Sequence, residues 1–276
     1  MNYKDYKIID AHCHIFPEKI AEKATKSTDI FYNIANLGKN KSDYVGTTNT
    51  LIEQCESSGV ERCLVSSVAT TPHHAQSINS YISYNVRLYP DKFIGFGSLH
   101  PESENLREDI EHLIEVGLKG VKLHPDIQNF KVDDPKVLKI FELCEEKGLP
   151  ILLHTGDSRF DNSNPNRVAP ILEKFPNLII IGAHFGGWSV WEEATEKLSK
   201  YKNFYVDTCS SFYALEKGTA KKLIETYGSD RIIFGTDFPM WSQKDELEYL
   251  FSLSLTEEEL ENILHNNILR VLKIEE

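Results

Sequence analysis

The sequence predicts a (β/α)₈ barrel, the TIM-barrel fold, for residues 1–276, and three observations lead to this prediction. Short apolar runs alternate strictly with helical segments, eight times along the chain. The predicted strands are continuous apolar runs, which a parallel sheet covered on both faces requires. The glycine-rich phosphate turn that usually follows the first strand of a doubly wound sheet is missing. No linker or low-complexity tract divides the chain, so we expect one domain.

The first predicted strand covers residues 8–14 and begins with two β-branched isoleucines, which favour an extended backbone. Because side chains alternate along a strand, Asp10, His12 and His14 share one face and Cys13 takes the other. Two imidazoles on one face can reach a single metal ion. On this pair alone, two chance histidines satisfied by water remain the alternative.

A long polar segment with scattered aromatic residues follows, at residues 17–45, and includes a short predicted helix at 18–26. A segment of this length is usually functional, often a lid over a site, although a tolerated surface insertion is the alternative. The next helix is predicted at 47–58, and Gly59 supplies its left-handed end.

The remaining units follow a regular order to the end of the chain. Strands are predicted at 62–68, 93–99, 120–124, 150–154, 178–184, 204–207 and 231–237. Helices are predicted at 75–89, 106–116, 135–147, between the polar loop 155–166 and residue 175, and at 190–200, 215–227, 243–251 and 257–271. Thr256 and Glu259 form a capping box at the start of the last helix.

Composition excludes several classes of function. The formal net charge of −12 argues against nucleic acid or an anionic membrane as the main partner. The longest apolar runs are too short to span a bilayer, and the polar start lacks the apolar core of a signal peptide. Five scattered cysteines without a CxxC motif suit a reducing compartment. We therefore expect a cytoplasmic protein that acts on a small molecule, and a homo-oligomer is compatible with the sequence.

Side chains suited to metal chemistry collect at the carboxyl ends of the predicted strands, which share one face of a barrel. In strand order they are His12 and His14, then His100, Lys122 and His124, His154, His184, Asp207, and Asp237. A hydrolytic zinc site uses imidazole and carboxylate ligands and activates a bound water. A nearby carboxylate can carry the proton, and a further histidine can polarise a carbonyl.

Five motifs occur in one order along the chain: residues 10–17 (DAHCHIFP), 120–125 (GVKLHP), 154–156 (HTG), 183–187 (AHFGG) and 235–239 (GTDFP). With them the chain resembles the amidohydrolase superfamily, most closely its amidohydrolase-related branch of mononuclear zinc hydrolases, lactonases and decarboxylases. The resemblance implies that His12, His14, His154 and Asp237 ligate one Zn²⁺. It also implies that Asp237 carries a proton and that His184 contacts substrate or activated water.

The role of Lys122 stays open between two interpretations. Some members of the superfamily hold two metals bridged by a carboxylated lysine on the fourth strand, with the histidines of the fifth and sixth strands on the second ion. A bridging lysine is not typical of the branch favoured here. We therefore expect a substrate-binding ammonium at Lys122 and one ion, with a second ion and a carboxylated Lys122 as the alternative.

Other residues are candidates for substrate binding. His124 is expected to form a pocket wall, and Arg159, in the loop after the fifth strand, could grip a carboxylate unless it is an ordinary surface arginine. Trp241 and Trp188 could line the pocket or pack between helices. Asp207 could orient a ligand or cap a helix.

The function expected from the sequence is a zinc-dependent hydrolase that directs a metal-bound water at an amide, lactone or ester. One alternative is a zinc-dependent decarboxylase of the aminocarboxymuconate-semialdehyde or resorcylate type, and another is a non-catalytic metal-binding barrel. The proton carrier Asp237 weighs against the latter. Short loops and a single loop arginine, Arg159, favour hydrolysis, because the decarboxylases that the chain resembles tend to be longer.

Overall fold

A computed structural model describes residues 2–33 and 44–275 of the chain. Its strands are β1 Ile9–His14, β2 Arg62–Ser66, β3 Phe93–Gly95, β4 Gly97–Ser98, β5 Val121–Leu123, β6 Ile151–Leu153, β7 Ile180–Gly182, β8 Phe204–Asp207 and β9 Ile232–Ile233. Its α-helices are α1 Glu18–Tyr32, α2 Thr48–Ser58, α3 Pro72–Leu88, α4 Leu106–Glu115, α5 Pro125–Gln128, α6 Pro135–Lys147, α7 Pro165–Lys174, α8 Trp191–Leu198, α9 Lys217–Tyr227, α10 Gln243–Phe251, α11 Glu257–Glu261 and α12 Asn267–Leu272.

The strands pair in chain order and close into a barrel. β1 to β3 are parallel neighbours, and so are β4 to β9. Phe96 alone separates β3 from β4, and its N–H donates to the Val65 carbonyl at 3.0 Å, so these two pieces form the predicted third strand. The ring closes where the Asp237 N–H donates to the His12 carbonyl at 2.8 Å. The predicted eight-stranded barrel is therefore confirmed.

Alternation along the strands produces two apolar layers. One layer lies between the strands and the helices, and the other fills the barrel interior. Outward-facing examples are Val65, Val121, Ile151 and Ile180, and inward-facing examples are Leu64, Leu152, Ile181 and Ile233. In β1 the register shifts between Asp10 and Cys13, so Ile9 faces the barrel interior while Cys13 faces the helices. Asp10 groups with Cys13 and Cys63, so the prediction that it shares the face of His12 is wrong. Both faces of each strand are thus apolar, which explains why the sequence showed continuous apolar runs. Polar side chains are left for the strand ends.

Some element boundaries differ from the prediction. The helix predicted at 18–26 continues to Tyr32 as α1, and Asn33 ends it in the left-handed region at φ 53°. Residues 34–43 of the predicted lid segment lie outside the described residues. The short helix α5 was not predicted; His124 caps it and Pro125 occupies its first turn. A π-helical turn at Asn262–Asn266 interrupts the last predicted helix, whose capping box is confirmed.

One glycine allows two loops of the site to meet. Gly156, after β6, has φ +82°, and a Cβ atom there would lie 2.6 Å from the backbone of Gly187 and Trp188. Only glycine combines this φ with so close an approach. The loop after β6 therefore packs directly on the loop after β7.

No helix in the part of the chain that the structure describes is long and apolar enough to cross a membrane.

Candidate active site

Three ligand-type atoms converge at the carboxyl end of the barrel. The Nε2 atoms of His12 and His14 lie 3.2 Å apart, and Asp237 Oδ1 lies 3.2 Å from the His14 nitrogen and 3.6 Å from the His12 nitrogen. Two imidazoles and a carboxylate are a donor set that suits a divalent transition-metal ion. We call these three residues the donor cluster.

Asp207, at the end of β8, orients His12. His12 Nδ1 donates to Asp207 Oδ2 at 2.8 Å, which leaves the Nε2 lone pair facing the donor cluster. Burial would raise the pKa of Asp207, but the charge of His12 and this hydrogen bond hold it at about 2. Burial lowers the pKa of His14 to about 4, so this imidazole is neutral near pH 7, the form that binds a metal. The donor cluster is therefore built to fit a metal ion.

Replacing Asp207 by asparagine is expected to weaken metal affinity about 10- to 100-fold, because the amide orients the His12 ring less strongly. Competition with a chromogenic chelator measures the affinity, and Asp91→Asn, on an exposed loop, is the matched control. Unchanged affinity in Asp207→Asn would show that His12 needs no such support.

His184 follows β7 with its backbone in the left-handed region, at φ 61°. Its Nδ1 lies 3.1 Å from the Cys209 carbonyl, which can only accept, so this nitrogen carries a proton. Its Nε2 lies 3.0 Å from His154 Nδ1. Burial lowers the pKa of His184 to about 3. His184 is thus a neutral imidazole held at both nitrogens.

His154 lies beside the donor cluster rather than within it. Its Nδ1 faces His184, and its Nε2 lies 3.3 Å from Asp126 Oδ2. Its ligand-type atoms group with those of His124 and Asp126. Metal ligation by His154, implied by the resemblance, stays a prediction.

Lys122 and His124 each contact another residue of the site, and substrate binding by either one stays a prediction. The Lys122 ammonium is buried and lies 2.9 Å from His12 Nε2, and burial lowers its pKa. Lys122 therefore contacts a donor-cluster histidine from within the barrel. His124 caps α5 through Nδ1, and its Nε2 pairs with the Tyr32 hydroxyl.

Arg159 does not act as a free carboxylate clamp in this structure. Its Nε and Nη2 donate to Asp157 at 2.9 and 2.6 Å, and its Nη1 donates to the Phe31 carbonyl at 2.7 Å. In this structure the loop after β6 supplies the carboxylate that neutralises the guanidinium, and substrate binding by Arg159 stays a prediction.

A small cavity, partly open to solvent, lies next to the donor cluster. Its volume is about 10 Å³, room for about one water molecule. Its lining residues are Tyr32, His184, Trp188, Ser210, Asp237, Met240 and Trp241. Trp241 Nε1 donates to Ser210 Oγ at 2.7 Å, and Ser210 donates to Asp237 Oδ2 at 2.6 Å. Of the two interpretations of Trp188 and Trp241, the structure favours the one in which they line the pocket.

Backbone strain concentrates around the cavity. Three of its non-glycine residues have a left-handed backbone, His184 and Asp237 at φ 61° and Ser210 at φ 46°. Such conformations cost free energy and persist where surrounding contacts hold them, often at functional sites. Here they aim side chains from three strand ends into one cavity.

Sequence reasoning missed Tyr32, Ser210 and Asp126. Asp126 directly follows the GVKLHP motif at the end of the fourth predicted strand, and this position could have identified it as a site residue. Ser210 lies three residues after Asp207 and could have been found in the same way. Tyr32 gave no signal, because it reaches the site from a helix in a polar segment.

Comparison with known proteins finds a family model that matches nearly the whole chain and a curated relative that matches part of it. A family model described as amidohydrolase matches residues 9–274. A 2-amino-3-carboxymuconate-6-semialdehyde decarboxylase of Dictyostelium discoideum is 23% identical over 203 residues, which are 60% of this chain and 56% of that protein. The match thus spans little more than half the length of this curated relative.

Solved structures share the fold at low sequence identity. An uncharacterised TIM-barrel protein from Bordetella bronchiseptica superposes with a TM-score of 0.81 at 22% identity, covering 97% of this chain and 99% of that one. A dihydroxybenzoic acid decarboxylase from Polaromonas sp. JS666, with bound manganese, gives 0.70 at 18% identity and covers 98% and 97%. The metal bound in that structure is manganese, not zinc.

These relatives overturn the expected reaction. The prediction of a hydrolase is wrong, because the relatives with a stated activity are decarboxylases, which are lyases.

The family model covers nearly the entire chain, and the sequence motifs that suggested it lie at the strand ends around the cavity. This chain therefore belongs to the amidohydrolase family.

Proposed function

We propose that this protein is a metal-dependent decarboxylase of a small aromatic or conjugated carboxylic acid, with residues 1–276 forming one domain. The observation that carries the proposal is the donor cluster of His12, His14 and Asp237 beside a small cavity with aromatic walls. Aromatic walls from Tyr32, Trp188 and Trp241 suit a flat conjugated substrate. The decarboxylases among the relatives support the reaction type.

The residues that would hold the ion are those of the donor cluster, with His154 as the fourth ligand that the resemblance implies. A bound divalent ion would supply positive charge that stabilises negative charge developing on the substrate. Zn²⁺ is our first candidate, because nitrogen and oxygen sites generally bind it more tightly than Mn²⁺. Mn²⁺ is the alternative, since the Polaromonas enzyme holds it.

Decarboxylation breaks the bond between a carbon and its carboxyl group, leaves the electron pair on that carbon and requires a proton there. Burial would raise the pKa of Asp237, but His12 and His14 hold it well below its usual range. Asp237 therefore starts as a carboxylate that can accept a substrate proton and return it to the carbon. His184, fixed as a neutral imidazole, contacts the substrate.

Release of CO₂ tests the proposal. Protein with a known metal content is incubated with dihydroxybenzoic, carboxyvanillic and muconate-type acids, and with a parallel panel of lactones and amides. We expect CO₂ equal to the acid consumed for at least one acid. Elemental analysis of unsupplemented protein then identifies the metal. No CO₂ from any acid by protein with one metal per chain would overturn the proposal.

A further inference from the structure

Helix α1 supplies Tyr32 to the cavity wall and buries few of its residues. Of its fifteen residues only Ala21 and Thr25 are buried. Ile20 and Ile30 are 50% and 70% exposed. Segments with few buried apolar contacts open at low free-energy cost. α1 is therefore the wall of the site that can yield most readily.

Tyr32, the last residue of α1, is the part of the helix that reaches the chemistry. Its hydroxyl pairs with His124 Nε2, and its ring centroid lies 6.0 Å from that of His154 and 5.2 Å from that of Trp188. It lines the cavity together with His184 and Asp237. The other lining residues follow strands of the barrel, so Tyr32 is the one wall supplied by α1.

Arg159 fastens this end of α1 to the loop after β6. Its Nη1 donates to the Phe31 carbonyl at 2.7 Å, and Asp157 neutralises its charge. Its guanidinium carbon lies 5.2–5.4 Å from the ring centroids of Phe31, Tyr32, Phe160 and Trp188. Stacking of this kind holds a planar cation and the surrounding rings together.

The cavity has room for about one water molecule and is partly open to solvent, so it cannot enclose an aromatic acid unless part of its wall moves. We propose that Tyr32 sets the size of the acid that the site accepts and that Arg159 holds Tyr32 in place by latching α1 to the loop after β6. This inference rests on the proposed function for the identity of the ligand. It gives Arg159 a positioning role in place of a substrate-binding one.

The first test needs no ligand. Two of the three tryptophans, Trp188 and Trp241, line the cavity, so acrylamide quenching of their fluorescence reports its opening. We expect stronger quenching in Tyr32→Ala and Arg159→Ala than in the wild type. Tyr84→Ala and Arg107→Ala, which alter exposed residues elsewhere, are the matched controls. Equal quenching in all five proteins would overturn the inference.

The second test measures binding of benzoic acids with substituents of increasing size to the metal-loaded protein. In Tyr32→Ala the preference for the bulkiest acid over the smallest should rise roughly tenfold or more, as expected when a hydrophobic wall is removed. Tyr32→Phe keeps the ring and should keep the wild-type preference. Arg159→Ala should shift the preference in the same direction as Tyr32→Ala.

The two proposals fail in different ways. An unchanged preference in Tyr32→Ala, with acids still bound, would overturn the role of Tyr32 and leave the proposed function intact. Absence of binding by every acid would instead count against the proposed function, and the quenching experiment would still decide whether Tyr32 and Arg159 close the cavity.

Discussion

Replacing Asp237 by asparagine is expected to lower decarboxylation by a factor on the order of a thousand or more, and to lower metal content as well. The amide has nearly the same shape, but it lacks the charge that completes the donor cluster and it cannot accept a proton. Initial rates of CO₂ release and elemental analysis of the same preparation measure the two effects.

The exposed residue Asp91 offers the matched control, since Asp91→Asn makes the same chemical change away from the site. Its rate and metal content should equal those of the wild type. Full metal content together with a wild-type rate in Asp237→Asn would contradict both roles of this residue.

His184→Ala is expected to keep the metal and lose turnover by about a hundredfold or more, a size typical for loss of a group that stabilises charge in the transition state. The metal should stay because His184 is not one of the three donor-cluster residues, and its nitrogens contact His154 and the Cys209 carbonyl. Metal analysis and CO₂ release on one preparation separate the two outcomes.

His73→Ala, on the exposed start of α3, is the control for this substitution. Loss of half the metal in His184→Ala would place His184 in a second metal site, as in the two-metal interpretation with a carboxylated Lys122. Unchanged turnover would remove His184 from the reaction.

The barrel could be predicted because its signals are local. Strand ends, helix-terminating glycines and the capping box at Thr256 follow from short-range preferences. The alternating order of strands and helices then predicts the barrel. The positions of His12, His14 and Asp237 on one rim followed from the fold alone. The structure brings the ligand atoms of these three within hydrogen-bonding range of one another.

The directions of other side chains could not be predicted, because they depend on turns after the strands. Arg159 was expected to face a substrate, but Asp157 lies two residues earlier with φ 94° and captures its guanidinium. Lys122 was expected in the pocket, but its position in β5 aims it at His12. Tyr32 depends on where a distant helix crosses the rim, which no local pattern encodes.

The reaction was mispredicted for a chemical reason. A hydrolase and a decarboxylase of this family can use the same imidazole and carboxylate ligands and the same proton carrier. Residue types at the strand ends therefore favour metal chemistry without distinguishing a water attack from the loss of CO₂. The discriminating information lies in the shape of the cavity and in the relatives.

Closure of the barrel between β1 and the segment after β9 also determines when the site can exist. His12 and His14 leave the ribosome long before Asp237 does. The Asp237 N–H bonds the His12 carbonyl, and the His14 N–H bonds the Phe238 carbonyl at 2.7 Å, so the three donors meet only when the first and last strands have joined. A growing chain offers an ion at most two of its three ligands. We therefore expect metal loading at the proposed site to follow folding of the barrel.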